Sequence, residues 1–291
     1  MTRPVQMRLT EDSSSESLPA ISYRLHGTLT TLINRLDDSI AGRMSVIRWG
    51  CPVLSFGDLS TSRVATMGLN PSNREFVDEC GNELEGGARR FHTLNSLGIS
   101  SWADADARHL RLILQSCSEY FLGNPYDTWF KKLDRVVQGT DASFYDPSRT
   151  ACHLDLIPYA TSRKWTELTV AQRSALLEMA ADTLGLLLRD SPVRVLILNG
   201  QTVVDEFQEI AGISLDKQLM SDWTLPRSFG RDVSGYAYSG WVNTLSGIPL
   251  MHDVLVLGYN HNLQSSFGVT NGAIQAIRDW ISRAVHEATT P

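Results

Sequence analysis

Cysteine is scarce in this chain: Cys51, Cys80, Cys117 and Cys152 are the four in 291 residues, widely spaced and without a Cys-x-x-Cys pair. That spacing argues against a zinc site, an iron–sulfur cluster and a disulfide framework, and leaves reduced, mostly buried thiols as the expectation. Neither a cofactor nor a metal is expected. No apolar run reaches the roughly 20 residues that a membrane helix needs, and the N-terminus lacks the apolar stretch of a secretory signal. The expectation is a soluble, cytoplasmic protein with no membrane partner. A Ser nucleophile elbow, a P-loop and internal repeats are also missing. Positive charge is in deficit: 26 Lys and Arg stand against 32 Asp and Glu, a net charge of -6. This argues weakly against nucleic-acid binding, which relies on Lys and Arg clusters. It does not exclude a basic groove, because net charge does not locate a patch, and basic pairs occur at Arg89-Arg90 and Arg163-Lys164.

What is present suits one sizeable core. At 42% hydrophobic, the chain can bury a single large α/β domain, read here as residues 21–291. Residues 1–20 are polar, acidic and Ser-rich, especially Glu11-Asp-Ser-Ser-Ser-Glu-Ser17, and are expected to form a disordered tail. Residues 22–41 place Leu25, Leu29, Leu32, Ile33, Leu36 and Ile40 at helical spacing, which predicts an amphipathic helix. Four short runs rich in Val, Ile and Leu, at 64–69, 151–157, 193–198 and 254–257, read as strands buried on both faces. Helical patterns at 87–98, 103–122, 126–138, 170–190, 201–211 and 270–287 alternate with them. The alternation predicts a three-layer α/β/α sandwich around a mainly parallel four-stranded sheet. Residues 213–250, rich in Gly, Ser, Trp and Tyr, are open to two readings: a short antiparallel excursion or a substrate-facing loop.

Each predicted strand exits into polar or small residues: Asn70 after the first, His153 and Asp155 within the second, Asn199-Gly200 after the third, and Asn260-His261-Asn262 after the fourth. In a parallel sheet the carboxyl ends share one edge, so these groups converge on the crevice where such sheets bind ligands. In Gly68-Leu69-Asn70-Pro71-Ser72 the glycine permits a tight exit, the proline stops the ladder, and Asn70 is left facing that crevice. Asn199-Gly200 reads more simply as a strand-to-helix turn. Asp155 lies inside an apolar strand, where a carboxylate is costly unless paired or used, so a functional role is favoured for it.

These residues resemble the uracil-DNA glycosylase superfamily. Gly68-Leu69-Asn70-Pro71 matches its first motif, and Arg89-Arg-Phe-His-Thr-Leu94, His153-Leu-Asp-Leu-Ile-Pro-Tyr-Ala-Thr161 and Val195-Leu-Ile-Leu-Asn-Gly200 follow in the order its fold requires. The resemblance covers residues 60–287, and the order of short motifs carries its specificity. The last motif departs from the common His-Pro-Ser pattern: Gly258-Tyr-Asn-His-Asn-Leu-Gln-Ser-Ser-Phe-Gly268 has the histidine without Pro-Ser, which leaves its register open. A monomer is expected, and the resemblance implies an enzyme that flips a base out of single- or double-stranded DNA and hydrolyses its N-glycosidic bond, leaving an abasic site. It also implies that Asn70 positions the water and His261 stabilises the departing base. Leu263 or Gln264 would fill the gap in the duplex, and Arg89, Arg90, Arg163 and Lys164 would meet phosphates. Phe76 or Phe91 would stack on the base or else belong to the core.

Members acting on uracil place an Asn near the position of Asp155. An ionised carboxylate has no donor to offer uracil O4 but can accept from the exocyclic amine of cytosine. The expected target is therefore a modified cytosine in foreign, phage DNA, because excision of ordinary cytosine would damage the host genome. A uracil-repair glycosylase with Asp155 paired to Arg163, an N-glycosidase acting on free nucleosides or nucleotides, and a non-catalytic binding module are the competing readings. A register shift of two would make His153 the base reader.

Overall fold

The computed structural model describes residues 18–36, 45–148, 150–227, 230–264 and 268–289. Three of the apolar runs form β1 (Val64–Gly68), β2 (Ala151–Asp155) and β3 (Val195–Asn199), and every residue of these strands is buried. Side chains alternate between faces along a strand, so complete burial means that both faces are covered. β1 pairs in parallel with β2 and with β3, and β3 pairs in parallel with β6 (Ile248–Tyr259). The four expected strands are thus mutually parallel, but the sheet is six-stranded and mixed. β4 (Asp216–Leu225) and β5 (Val233–Leu245) extend it antiparallel beyond β6, giving the order β2-β1-β3-β6-β5-β4.

The segment 213–250 is therefore the antiparallel excursion rather than a loop. Its strands hide in the sequence because much of β4 is exposed and the burial of β5 is irregular. The β5–β6 turn at Ser246-Gly247 has φ of 48° and 76°, the two positive values that a tight hairpin turn matching strand twist requires.

Helices flank the sheet. α1 (Leu18–Leu36) buries Leu25, Leu29, Leu32, Ile33 and Leu36 as the spacing predicts, whereas Ile40 lies outside the described residues. The helix begins three residues inside the expected tail (18, 19 and 20), and the rest of that tail is outside the described residues. The pattern at 87–98 yields only α2 (Leu94–Leu97), because Gly86-Gly87 supports no more than a 3-10 turn and Thr93 caps a fresh start. α3 (Ala107–Ser118) starts at a capping box on Asp106, and α4 (Asp127–Val137) follows it. The pattern at 170–190 breaks into α5 (Val170–Ala180) and α6 (Thr183–Arg189) at Asp182, whose carboxylate holds Arg35 of α1 through two hydrogen bonds of 2.7 Å. α7 (Gln201–Ala211) leaves β3 through Gly200, and α8 (Asn271–Thr289) packs Ile274, Ile277 and Ile281 into the core. No helix among the described residues is long and apolar enough to cross a membrane.

Candidate active site

β1 delivers Asn70 to the carboxyl edge of the sheet, and the chain around it fixes the orientation of its amide. The Nδ2 group donates to Pro71 O at 3.0 Å and to Thr161 Oγ1 at 2.9 Å. Thr161 gives its own proton to Arg163 O at 2.6 Å, so both neighbours of the Asn70 amide nitrogen are acceptors. Only an NH2 fits there, and among the described residues Oδ1 is left as an unused acceptor, on a residue that lines a cavity of about 400 Å³. That volume lies in the range of small-ligand pockets. A parallel bridge between Ser72 and Thr161 ties the β1 and β2 exit loops together, so the amide sits on a rigid platform.

β2 supplies the opposite wall. His153 and Asp155, two residues apart, lie on one face of the strand, with His153 Nε2 3.4 Å from Asp155 Oδ1. Thr66 Oγ1 meets His153 Nδ1 at 2.7 Å. The carboxylate beside Nε2 favours the tautomer that carries its proton there, with Thr66 donating to Nδ1. Both side chains are almost fully buried, at 2% and 6% exposure, and both line the cavity. Gly68 pairs with Asp155 across the strands and provides the floor. A Cβ at Gly68 would sit 2.4 Å from Asp155 Oδ1 and 3.0 Å from His153 Nε2.

Gly68→Ala is accordingly expected to swing the carboxylate aside and, if the cavity is catalytic, to lower its activity by roughly a hundredfold, the scale of an ångström-sized misplacement. Overpacking should cost about 1–3 kcal/mol of stability, too little to unfold the protein. Parallel thermal melts and activity assays check this, and an unchanged rate would show that the floor is not part of the site.

The remaining wall is aromatic and acidic. Phe56, Trp129 and Phe130 surround the His153 ring at centroid distances of 5.4, 4.9 and 5.4 Å. Tyr126 and Trp165 also line the cavity, and the buried indole N–H of Trp165 has no hydrogen-bond partner among the described residues. Glu75, 3% exposed, closes the wall beneath Arg90 and Tyr120. Burial pushes its carboxyl up to about 7, with the charge of Asp155 adding to the rise and Arg90 and Tyr120 opposing it. Among the described residues no group of three or more His, Cys, Asp or Glu is placed to hold a metal ion.

No protein-family model matches this chain, and no curated protein matches it.

Of the residues expected to form a site, Asn70, His153, Asp155 and Lys164 come together at the cavity, with Lys164 exposed on its rim. Others do not. His261 is buried, its Nε2 donates to Trp223 O at 2.7 Å, and burial lowers its pKa. Asn260 explains this displacement, since it is claimed by β5, accepting Tyr236 N–H at 2.8 Å and donating to Ser234 O at 2.8 Å. The chain then turns His261 towards β4 and leaves Asn262 on the cavity wall.

Leu263 is buried, and Asn199 Oδ1 accepts its backbone N–H at 3.3 Å. Gln264 accepts from Asn199 Nδ2 at 2.8 Å and donates to Trp129 O at 3.1 Å. Both are committed to the loop and not presented as a wedge, and Asn199-Gly200 is the strand-to-helix turn that anchors them. Phe76 and Phe91 belong to the core, tilted against each other with centroids 5.9 Å apart and off the cavity wall. Arg89 and Arg90 line a separate cavity of about 380 Å³, with the Arg90 guanidinium holding Asn124 O and Arg74 O. Arg163 is exposed and forms no pair with Asp155, whose carboxylate instead faces His153 Nε2.

Proposed function

We propose that this chain is a DNA glycosylase of the uracil-DNA glycosylase type, acting on a flipped modified cytosine in foreign DNA. The observation that carries the reading is one cavity, at the carboxyl ends of parallel strands, that holds an oriented amide acceptor, a buried carboxylate and an aromatic box. Breaking the bond from a sugar carbon to a base nitrogen generates an oxocarbenium-like sugar. Such a cation needs only an oriented weak nucleophile, so Asn70 Oδ1 serves by accepting a hydrogen bond from the attacking water. The Asp155 carboxylate accepts from the exocyclic amine of the base and its charge favours the cationic sugar. Tyr126 and Trp129, rather than Phe76, offer the base a stacking surface on the cavity wall. The leaving-base role assigned to His261 passes out of the reading, since its ring is committed to Trp223 O. A role in defence against phage with modified cytosines follows from the choice of base, since ordinary cytosine is shared with the host.

The test uses three DNAs of one sequence, containing ordinary cytosine, glucosylated hydroxymethylcytosine or uracil, with abasic sites read by alkaline cleavage. Abasic sites in the modified DNA alone are expected. Cleavage of the uracil DNA alone would return the protein to repair, and no cleavage of any, with hydrolysis of free nucleosides, would make it a nucleoside N-glycosidase.

A further inference from the structure

The cavity contains a second buried carboxyl, Glu75, for which water positioning and base recognition have no use. A 3-10 turn, Asn73–Glu75, carries it back from the β1 exit, and Ser72 Oγ caps that turn by accepting Arg74 N–H at 3.2 Å. On the cavity wall, Glu75 Oε2 accepts the Tyr120 hydroxyl at 2.9 Å and lies 3.8 Å from Arg90 Nε. The Tyr120 oxygen is in turn occupied by Tyr126 N–H at 3.0 Å, so the phenol proton belongs to Glu75. Oε2 is therefore engaged from two sides. Oε1 has no hydrogen-bond partner among the described residues and is the oxygen left for a ligand. The charged and titratable groups facing the carboxyl are Arg90, ahead of α2, Tyr120, following α3, and Asp155 on β2, with His153 and Lys164 sharing the cavity. Burial raises the Glu75 carboxyl to about 7, so it can keep its proton far above the usual carboxylate range.

We propose that Glu75 is the proton donor of this cavity, placing a protonated Oε1 against N3 or O2 of the bound pyrimidine while Asp155 accepts from its exocyclic amine. The proposal rests on the base-excision reading and adds to it a general acid. As the bond from the sugar carbon to the base nitrogen breaks, its electron pair leaves with the base, and the Glu75 proton settles on N3 or O2. The base departs neutral. Water adds to the sugar carbon and releases a proton that restores Glu75, so the sum is hydrolysis with no other reactant. A carboxylate beside a carboxylic acid is also the complement of a ring edge that carries an amine next to an acceptor, and a poor match to uracil, whose N3 bears a proton.

Single-turnover base release from modified-cytosine DNA between pH 5 and 9 tests this, comparing the wild type with Glu75→Gln. Glutamine keeps the size and a donor but cannot pass a proton. The wild-type rate is expected to fall about tenfold per pH unit above about 7, where the acid form is lost. The variant is expected to lose this limb and roughly a hundredfold in kcat, with KM little changed. Thermal melts check the fold independently. A carboxyl raised in the folded state contributes stability that is complete below its ordinary range and lost as pH rises through about 7, so this loss should appear in the wild type and vanish in Glu75→Gln. An active wild type whose variant keeps both rate and limb overturns the proposal alone. A wild type that releases no base from any DNA overturns the base-excision reading and this proposal with it.

Discussion

Asn70→Ala is expected to lower base release by about 10²–10³-fold while leaving the protein folded, on the scale of removing one preorganised polar group from a transition state. Asn70 offers the cavity its acceptor alone. Its two donors are consumed by Pro71 O and Thr161 Oγ1, which hold the side chain still, and its acceptor is left for a water in the cavity. Alanine removes the acceptor at a cost of about 1 kcal/mol for the loop hydrogen bonds. Asn70→Asp separates positioning from simple polarity. A carboxylate would face two acceptors, because the Thr161 proton already goes to Arg163 O. It should therefore destabilise the exit loop more than alanine does at neutral pH, and recover as the carboxyl is protonated. Single-turnover rates beside thermal melts at pH 5 and 8 measure both effects. A loss of stability with no loss of rate would make Asn70 a loop tie and nothing more.

The strands that carry this site were legible because parallel strands buried on both faces read as continuous Val, Ile and Leu runs. Their exits then place Asn70, His153 and Asp155 on one edge with no knowledge of side-chain packing. Side-chain direction was not legible in the loops. His261 and Asn262 are neighbours beyond the same strand, yet one is drawn to Trp223 O and the other lines the cavity. That choice is made by Asn260 pairing with β5, a strand whose irregular burial leaves no clean period in the sequence. Phe76 and Phe56 pose the same problem. Both are buried phenylalanines near the site, and only packing shows that Phe56 lines the cavity while Phe76 sits against Trp49 and Phe91. Glu75 left no periodic or motif signal, since its meaning comes from Tyr120 and Arg90, both distant in sequence.

Asp155→Asn carries the other large expected effect, a reversal of base preference. In the wild type Asp155 Oδ1 lies 3.4 Å from His153 Nε2, and the ionised group offers a ligand acceptors only. In the variant, Oδ1 can keep its place opposite the His153 N–H, so Nδ2 becomes a donor turned to the base. Cytosine then meets its amine against a donor, and uracil finds a partner for O4. A site built around one hydrogen-bond pattern rejects the analogue that leaves groups unpaired by up to 10⁴–10⁵-fold. The kcat/KM ratio of modified cytosine to uracil is therefore expected to fall by at least about 10³-fold, equivalent to about 4 kcal/mol. Stability should hold or rise, because an amide of the same size replaces a buried charge. A different outcome has an equally definite meaning. If both substrates lose activity in equal measure, Asp155 acts by holding His153 in the chain from Thr66 through its two ring nitrogens, and the histidine is the residue that reads the base.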